Sequence, residues 1–445
     1  CANWNSFDEV VIQSTKSTNP FGGSMSNVTS KPTKLSEIKS VSDARISTGF
    51  VEFDRVLGGS AESNRGIVPG SVMLLSGDPG VGKSTLLLQI ALNLSSQFTV
   101  HSSQSKKEKT VNSEPTSREL RKVLYITGEE SENQVKLRAE RIVSQTHINS
   151  SNLFIVSTTN VEHALVHIEN TKPDLVIVDS IQTMVSDQFA GFPGSLPQIR
   201  YATARLISVA KSSQIPVFLV GHVTKEGIVA GPMILSHMVD VVLFLEGEQL
   251  TGTRVLRSFK NRFGDVSEVG IFTMEERGLA NLVDVSSFFM NHENRSVPGS
   301  CLTVIQEGSR PILVEIQALL VPTTMAFARR VASGISEKRL ELLLAVIQKH
   351  AKIPLDRLDV FINVVGGLKI TETASDLAVC LAIASSFKNK PLVSVVAIAE
   401  VGLLSEIKKV VNLKARTREA EKIGPKKIIS FQSHKNLGEV MRMIE

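Results

Sequence analysis

The sequence predicts an α/β fold: a parallel, doubly wound sheet followed by a smaller α+β domain. Three observations predict it. The segment Gly77-Asp78-Pro79-Gly80-Val81-Gly82-Lys83-Ser84 is a complete G-x-x-x-x-G-K-[ST] loop, set between an apolar strand-like run and a helix-like run. Short apolar runs then alternate with helical stretches, the pattern of parallel strands joined by crossover helices. Beyond residue 299 strands and helices mix less regularly, which marks a second domain of another class.

The composition sets the bounds. A chain of 445 residues holds two or three domains. Hydrophobic residues make up 42% and charged residues 21%, so a soluble, well-cored protein is expected. No apolar run is long enough to span a membrane. The net charge of +5 permits a polyanionic partner without demanding one. The cysteines Cys1, Cys301 and Cys380 lie far apart, so no disulfide framework is expected and a reducing compartment is the default. The chain starts at Cys1 rather than Met, so it reads as a fragment or a processed form.

In chain order, residues 1–44 are rich in Ser, Thr, Asn and Lys and read as a flexible linker. Strands are expected at 72–77, 123–128, 153–157, 175–179, 217–222, 239–246, 255–260 and 269–274. The last three are closely spaced and are expected to form a meander at one edge. Residues 99–122 are polar and read as a surface insertion. Polar turn residues near 291–299 mark a boundary. The expected domains are therefore 1–44, 45–290 and 296–445. In the last, 313–320 and 360–370 read as strands, and 337–350 and 374–387 as helices.

The loop carries the chemistry. Gly77, Gly80 and Gly82 let backbone amides approach phosphate oxygens, with Asp78, Pro79 and Val81 between them and Thr85 following in the helix. Lys83 is expected to reach the β- and γ-phosphates of ATP, and the Ser84 hydroxyl to ligate Mg2+. Leu175-Val176-Ile177-Val178-Asp179 is an apolar strand ending in the second magnesium carboxylate, Asp179. A further strand ends in Gly128-Glu129-Glu130-Ser131. Strand ends converge on the ligand crevice in such a sheet, so Glu129 or Glu130 is the general-base candidate. Either could instead complement the dipole of the helix that follows. His222 ends another strand and is the candidate γ-phosphate sensor, passing its signal to residues 225–232.

Gly128-Glu129-Glu130-Ser131, Gly221-His222-Val223-Thr224-Lys225, Ala230-Gly231-Pro232 and above all Lys260-Asn261-Arg262-Phe263-Gly264 resemble the bacterial-type RadA/Sms family of DNA repair proteins. The resemblance runs from about residue 46 to the C-terminus. It implies a RecA-like ATPase core fused to a Lon-protease-like domain. It also implies a homo-oligomeric ring, a hexamer, that moves on single-stranded DNA. The implied task is branch migration of recombination intermediates beside a RecA-type recombinase. Lys260 and Arg262 would then complete a neighbour's nucleotide site in trans, as an arginine finger does. DNA contacts are expected from residues 187–200 and 225–235, including Lys225, and from Lys260, Arg262, Arg329 and Arg330, with Lys408 and Lys409 adding positive charge.

The chain departs from that family in three places. The family begins with a four-cysteine zinc motif, of which Cys1 matches only the last ligand. Zinc is therefore expected only in a longer chain. The Lon-type nucleophile position holds Ala374, with Lys414 near the expected lysine; Ser375 is one residue off, about 100° around a helix. Peptidase chemistry is therefore not expected. The 99–122 insertion and the Ser/Thr-rich linker suggest an organellar form, placing the protein in a chloroplast or mitochondrion before the bacterial cytoplasm. The competing readings are an ATP-dependent Lon-like protease and a nucleotide-dependent scaffold that barely turns over.

Overall fold

In the computed structural model, the described residues are 34, 45–59, 64–96, 120–143, 152–189, 191–222, 232–247, 252–282, 285, 297–425 and 427–442. The expected linker apart from residue 34, nearly all of the insertion, and residues 291–296 of the expected boundary lie outside them.

The first strands are continuous apolar runs because both faces of a parallel sheet are covered. β1 (Val72–Gly77), β2 (Val123–Thr127), β4 (Leu175–Asp179) and β5 (Val217–Val220) are buried at every position. β3 (Leu153–Ser157) is the partly exposed edge. Side chains alternate between two cores. Met73, Leu75, Tyr125 and Ile177 face α1 (Val51–Leu57), α2 (Lys83–Ser95) and α3 (Glu132–Val143). Val72, Leu74, Leu124 and Val178 face α4 (Val161–Thr171) and α5 (Leu196–Ser213).

After the short α6 (Pro232–Leu235) come β6 (Val241–Gly247), β7 (Thr253–Asn261), β8 (Val269–Glu275) and β9 (Gly278–Asn281). The sheet order is β3-β2-β4-β5-β1-β6-β7-β8-β9. The expected three-strand meander is present: β6 pairs antiparallel with β7 and β7 with β8, β9 extends it by one strand, and β6 joins it to the parallel strands by pairing parallel with β1. β9 was not expected, since only Leu279 and Ala280 of its four residues are apolar.

The second sheet has the order β12-β13-β11-β10-β14-β17 and mixes antiparallel with parallel pairings. Its strands are β10 (Ser300–Glu307), β11 (Arg310–Pro322), β12 (Arg330–Ser333), β13 (Leu358–Val364), β14 (Val395–Ile398) and β17 (Lys427–Ser430). A two-residue pair, β15 (Glu400–Val401) and β16 (Ile407–Lys408), stands apart. α7 (Glu337–His350) matches its expected bounds. The strand expected over 360–370 stops at Val364, and a turn over Val365–Gly367 follows. α8 (Asp376–Lys388) starts two residues late, after a turn at Thr373–Ser375. α9 (Leu413–Glu421) and α10 (Leu437–Met441) complete the domain.

The described residues from 45 onward form one compact unit. The core of the second sheet runs on into the first through Val255, Val269 and Ile271, which pack with Cys301, Ile305 and Ile312. Two ion pairs cross the same junction: Arg257 to Glu307 at 2.7 Å and Arg310 to Glu52 at 2.8 Å. No helix among the described residues is long and apolar enough to cross a membrane.

Candidate active site

The site lies where β1, β2, β4 and β5 end. All four run parallel, so their C-terminal ends share one edge of the sheet. Gly77 closes β1 at φ 150°. A Cβ there would lie 2.2 Å from the Leu245 carbonyl oxygen, so only glycine lets the loop leave the sheet at this point. Asp78, Pro79 and Gly80 form the exposed tip, and Val81 turns back with its amide on the Asp78 carbonyl. Helix α2 then starts at Lys83 with no acidic residue in its first turn, so its positive end stays open to an anion. Ser84 and Thr85, both half-buried, follow in that first turn.

Lys83 is 4% exposed. Its Nζ donates to the carbonyls of Gly77 at 2.9 Å and Asp78 at 3.0 Å. Burial lowers its pKa, and the carboxylates of Asp179, Asp78 and Glu129 pull it back up. The lysine is thus curled onto its own loop, ringed by the acids that a metal-nucleotide would share. Asp179 is 6% exposed, and its Oδ2 accepts from the Tyr125 hydroxyl at 2.5 Å. The donor set fits a magnesium-nucleotide: one hydroxyl (Ser84), one carboxylate (Asp179) and one ammonium (Lys83) beside a glycine loop.

The structure separates the two glutamates. Glu130 pairs with Arg138 of α3, at 2.9 Å from one guanidinium nitrogen and 2.8 Å from another. Glu129 is exposed and turns to the site, where Ser180 Oγ donates to its Oε1 at 2.6 Å. His222 Nε2 stands 3.4 Å from the same oxygen and has no hydrogen-bond partner among the described residues. The His222 carbonyl accepts from Gln182 Nε2 at 3.3 Å, which links the ends of β4 and β5. Gly128 permits this closeness, because a Cβ there would lie 2.0 Å from Thr183 Oγ1. Lys83, Asp179, Glu129 and His222 therefore share one edge, with Ser180 and Gln182 as unforeseen partners. Arg254 is another. It is 6% exposed and donates from Nε to the Val81 carbonyl at 3.0 Å, bracing the loop from β7.

Lys260 and Arg262 do not join this group. Register pairs Gly77 with Leu245 but Lys260 with Val242, three residues or about 10 Å back along β6. Lys260 Nζ donates to the carbonyls of Ser236 and Val239, each at 2.7 Å, and Arg262 lies 3.2 Å from Asp240. Burial lowers the Lys260 pKa, the Arg262 charge lowers it further, and the Asp240 carboxylate pulls it back up.

The remaining basic candidates are dispersed. Arg329 pairs with Asp359 at 2.8 Å and lies over the Phe361 ring. Arg330 gives its guanidinium to the carbonyls of Leu355 and Leu358. Lys408 lies 3.2 Å from Glu406 and Lys409 is exposed. Lys225 and the loop around it lie outside the described residues, as does Cys1. The segment over 187–200 leads from the site into α5. Asp187 is held by Asn160 at 2.9 Å, and Phe192 is 87% exposed. In the second domain Ala374 is 2% exposed in an apolar cluster. Ser375 lines a cavity of about 540 Å³ with Arg339 and Asp376; Lys414, exposed on α9, is not part of its wall.

Residues 45–227 match a family model described as an AAA domain. The chain is similar to the DNA repair protein RadA of Bacillus subtilis, with 42% identity over 432 residues, 96% of this chain and 87% of that protein. Similarity to the DNA repair protein RadA of Streptococcus pyogenes is 41% over 430 residues, again 96% and 87%. For that of Streptococcus pneumoniae it is 42% over 406 residues, 91% and 89%. A crystal structure of the RadB recombinase resembles 53% of this chain and 99% of that one, at 21% identity and a TM-score of 0.38, too low to carry an argument.

Proposed function

The chain belongs to the family of the DNA repair protein RadA, and we propose that it is a DNA-dependent ATP motor. It binds single-stranded DNA and drives branch migration of recombination intermediates in homologous recombination and repair. The observation that carries this reading is the convergence of Lys83, Asp179, Glu129 and His222 on one sheet edge, while Lys260 and Arg262 sit at the other.

The roles follow from the chemistry of each group. Loop amides and Lys83 hold the β- and γ-phosphates, Lys83 leaving its two carbonyls to do so. Ser84 and Asp179 hold Mg2+, which when bound neutralises charge on those phosphates. Glu129 orients and deprotonates the attacking water, and Ser180 fixes its carboxylate. Glu130 holds α3 through Arg138 and takes no part. His222, beside Glu129, reads the γ-phosphate. Lys260 and Arg262 act on the neighbouring subunit's nucleotide in a hexameric ring. DNA is held by the loops over 187–200 and 225–235. Phe192 offers a stacking surface for a base. Arg329 and Arg330 are tied down within the chain and can add only a positive field.

We divide the chain into an ATPase domain over 45–290 and a Lon-protease-like domain over 296–445 that lacks peptidase chemistry. Ala374 has no nucleophile, and Lys414, the lysine of the expected dyad, is not in the wall of the cavity that Ser375 shares with Lys369. A RecA-type recombinase is the proposed partner in the reaction.

Steady-state ATP hydrolysis with and without single-stranded DNA tests the motor. Stimulation by DNA supports it. An equally slow rate with and without DNA favours a scaffold that binds nucleotide and barely turns over.

A further inference from the structure

Strand β2 reads Val123-Leu124-Tyr125-Ile126-Thr127, and its tyrosine is 0% exposed. A buried phenol in an aliphatic strand needs a partner for its hydroxyl; phenylalanine would fill the same space without that need. Register sets Tyr125 opposite Ile177, which makes Asp179 its diagonal neighbour on the same face of the sheet. That is a span an aromatic side chain bridges. The hydroxyl donates to Asp179 Oδ2 at 2.5 Å. Arg138 donates to the phenol oxygen at 3.4 Å while it also holds Glu130. With a cation on its lone pairs and a carboxylate before its proton, the hydroxyl has one direction in which to donate.

Asp179 has a competing neighbour. Its charge acts on Lys83, an ammonium that the phosphates also require. Tethered by Oδ2 to a phenol on the adjacent strand, the carboxylate is held in one orientation. Its other oxygen, Oδ1, accepts no hydrogen bond from the described residues.

We propose that Tyr125 is a positioning residue for Asp179. Its hydroxyl holds Oδ2 and leaves Oδ1 for the magnesium-nucleotide. Arg138 orients that hydroxyl, so the α3 residue that secures Glu130 also secures the metal carboxylate. This inference rests on the ATP-magnesium reading of the site.

The test is binding of a methylanthraniloyl-ATP analogue, read by fluorescence, across a Mg2+ series and in EDTA. It compares the wild type, Tyr125→Phe, Asp179→Ala and the double variant. Tyr125→Phe is expected to raise the half-saturating Mg2+ about tenfold, the usual loss when a metal ligand's supporting partner is removed. Binding in EDTA should stay within about twofold, a readout that a general loss of structure would not spare. On the Asp179→Ala background the same change should add nothing, since both act through one carboxylate. An unchanged half-saturating Mg2+ in Tyr125→Phe overturns the proposal, as does a second full rise on the Asp179→Ala background. A wild type that binds no analogue at any Mg2+ concentration overturns the nucleotide reading itself and this inference with it.

Discussion

Two lysines at opposite ends of the central sheet are built alike and placed differently. Lys83 and Lys260 each curl back to donate to two backbone carbonyls, and burial lowers the pKa of each. Lys83 stands among Asp179, Asp78 and Glu129, whereas Lys260 stands between one cation, Arg262, and one acid, Asp240. The acids at the two ends differ as well. Asp179 accepts from Tyr125 on one oxygen. Asp240 uses both, accepting from Lys211 and the Val72 amide on Oδ2 and from Arg262 on Oδ1. The upper end is thus a set of charges left partly open for a metal-nucleotide. The lower end has its acid saturated and carries surplus positive charge. A cation pair of that kind suits an anion brought from outside the subunit.

The sharpest way to break this comparison is to remove the upper lysine. Lys83→Ala should lower the hydrolysis rate by at least about 10³-fold, because a preorganised cation at the transferring phosphate is lost. A residual rate within tenfold of the wild type would mean that Lys83 does not serve that phosphate. The two glutamates come next. Glu129→Gln should cut the rate by roughly 10²- to 10⁴-fold while leaving nucleotide binding intact. Glu130→Gln should instead lower stability, by about 1 kcal/mol in urea unfolding, through its pair with Arg138. Equal kinetic losses in both would erase the separation drawn between them.

Lys260→Ala probes the lower end. The expected loss is about 10²-fold in the DNA-stimulated rate, smaller than the full arginine-finger effect because Arg262 remains. Binding of nucleotide should not change, since Lys260 lies away from its own subunit's loop. At Asp240 the expected effect is on stability and not on turnover. Asp240→Asn should cost about 1–3 kcal/mol of unfolding free energy by weakening a buried acceptor of three donors. If instead it abolished turnover with stability intact, the lower acid would have a chemical role and the contrast with Asp179 would fail.

Much of the upper end was legible in the sequence because its chemistry is written in contiguous residues. The glycine loop, Lys83, Ser84 and the strand-terminal Asp179 need only a strand before and a helix after. What was not legible depends on residues brought together by folding. Glu129 and Glu130 are adjacent and alike; Arg138, eight residues on, separates them. Tyr125 reads as one more buried strand residue until register sets it diagonal to Asp179. The place of Lys260 follows from the β6–β7 register, which no local pattern encodes. Likewise Arg329 and Arg330 read as free cations until Asp359 and the Leu355 and Leu358 carbonyls are seen to hold them. In the second domain, α7 was legible from its apolar spacing, while β15 and β16 have only two residues each and give no period.

The central claim is that Lys83 serves its own subunit's nucleotide and Lys260 its neighbour's. Mixing Lys83→Ala protein with Lys260→Ala protein tests it directly. In equal mixture half the sites keep Lys83, and half of those face an intact Lys260. DNA-stimulated ATP hydrolysis should then recover to about a quarter of the wild-type rate, although each variant alone is nearly inactive. A mixture no more active than the average of its two components would contradict the claim.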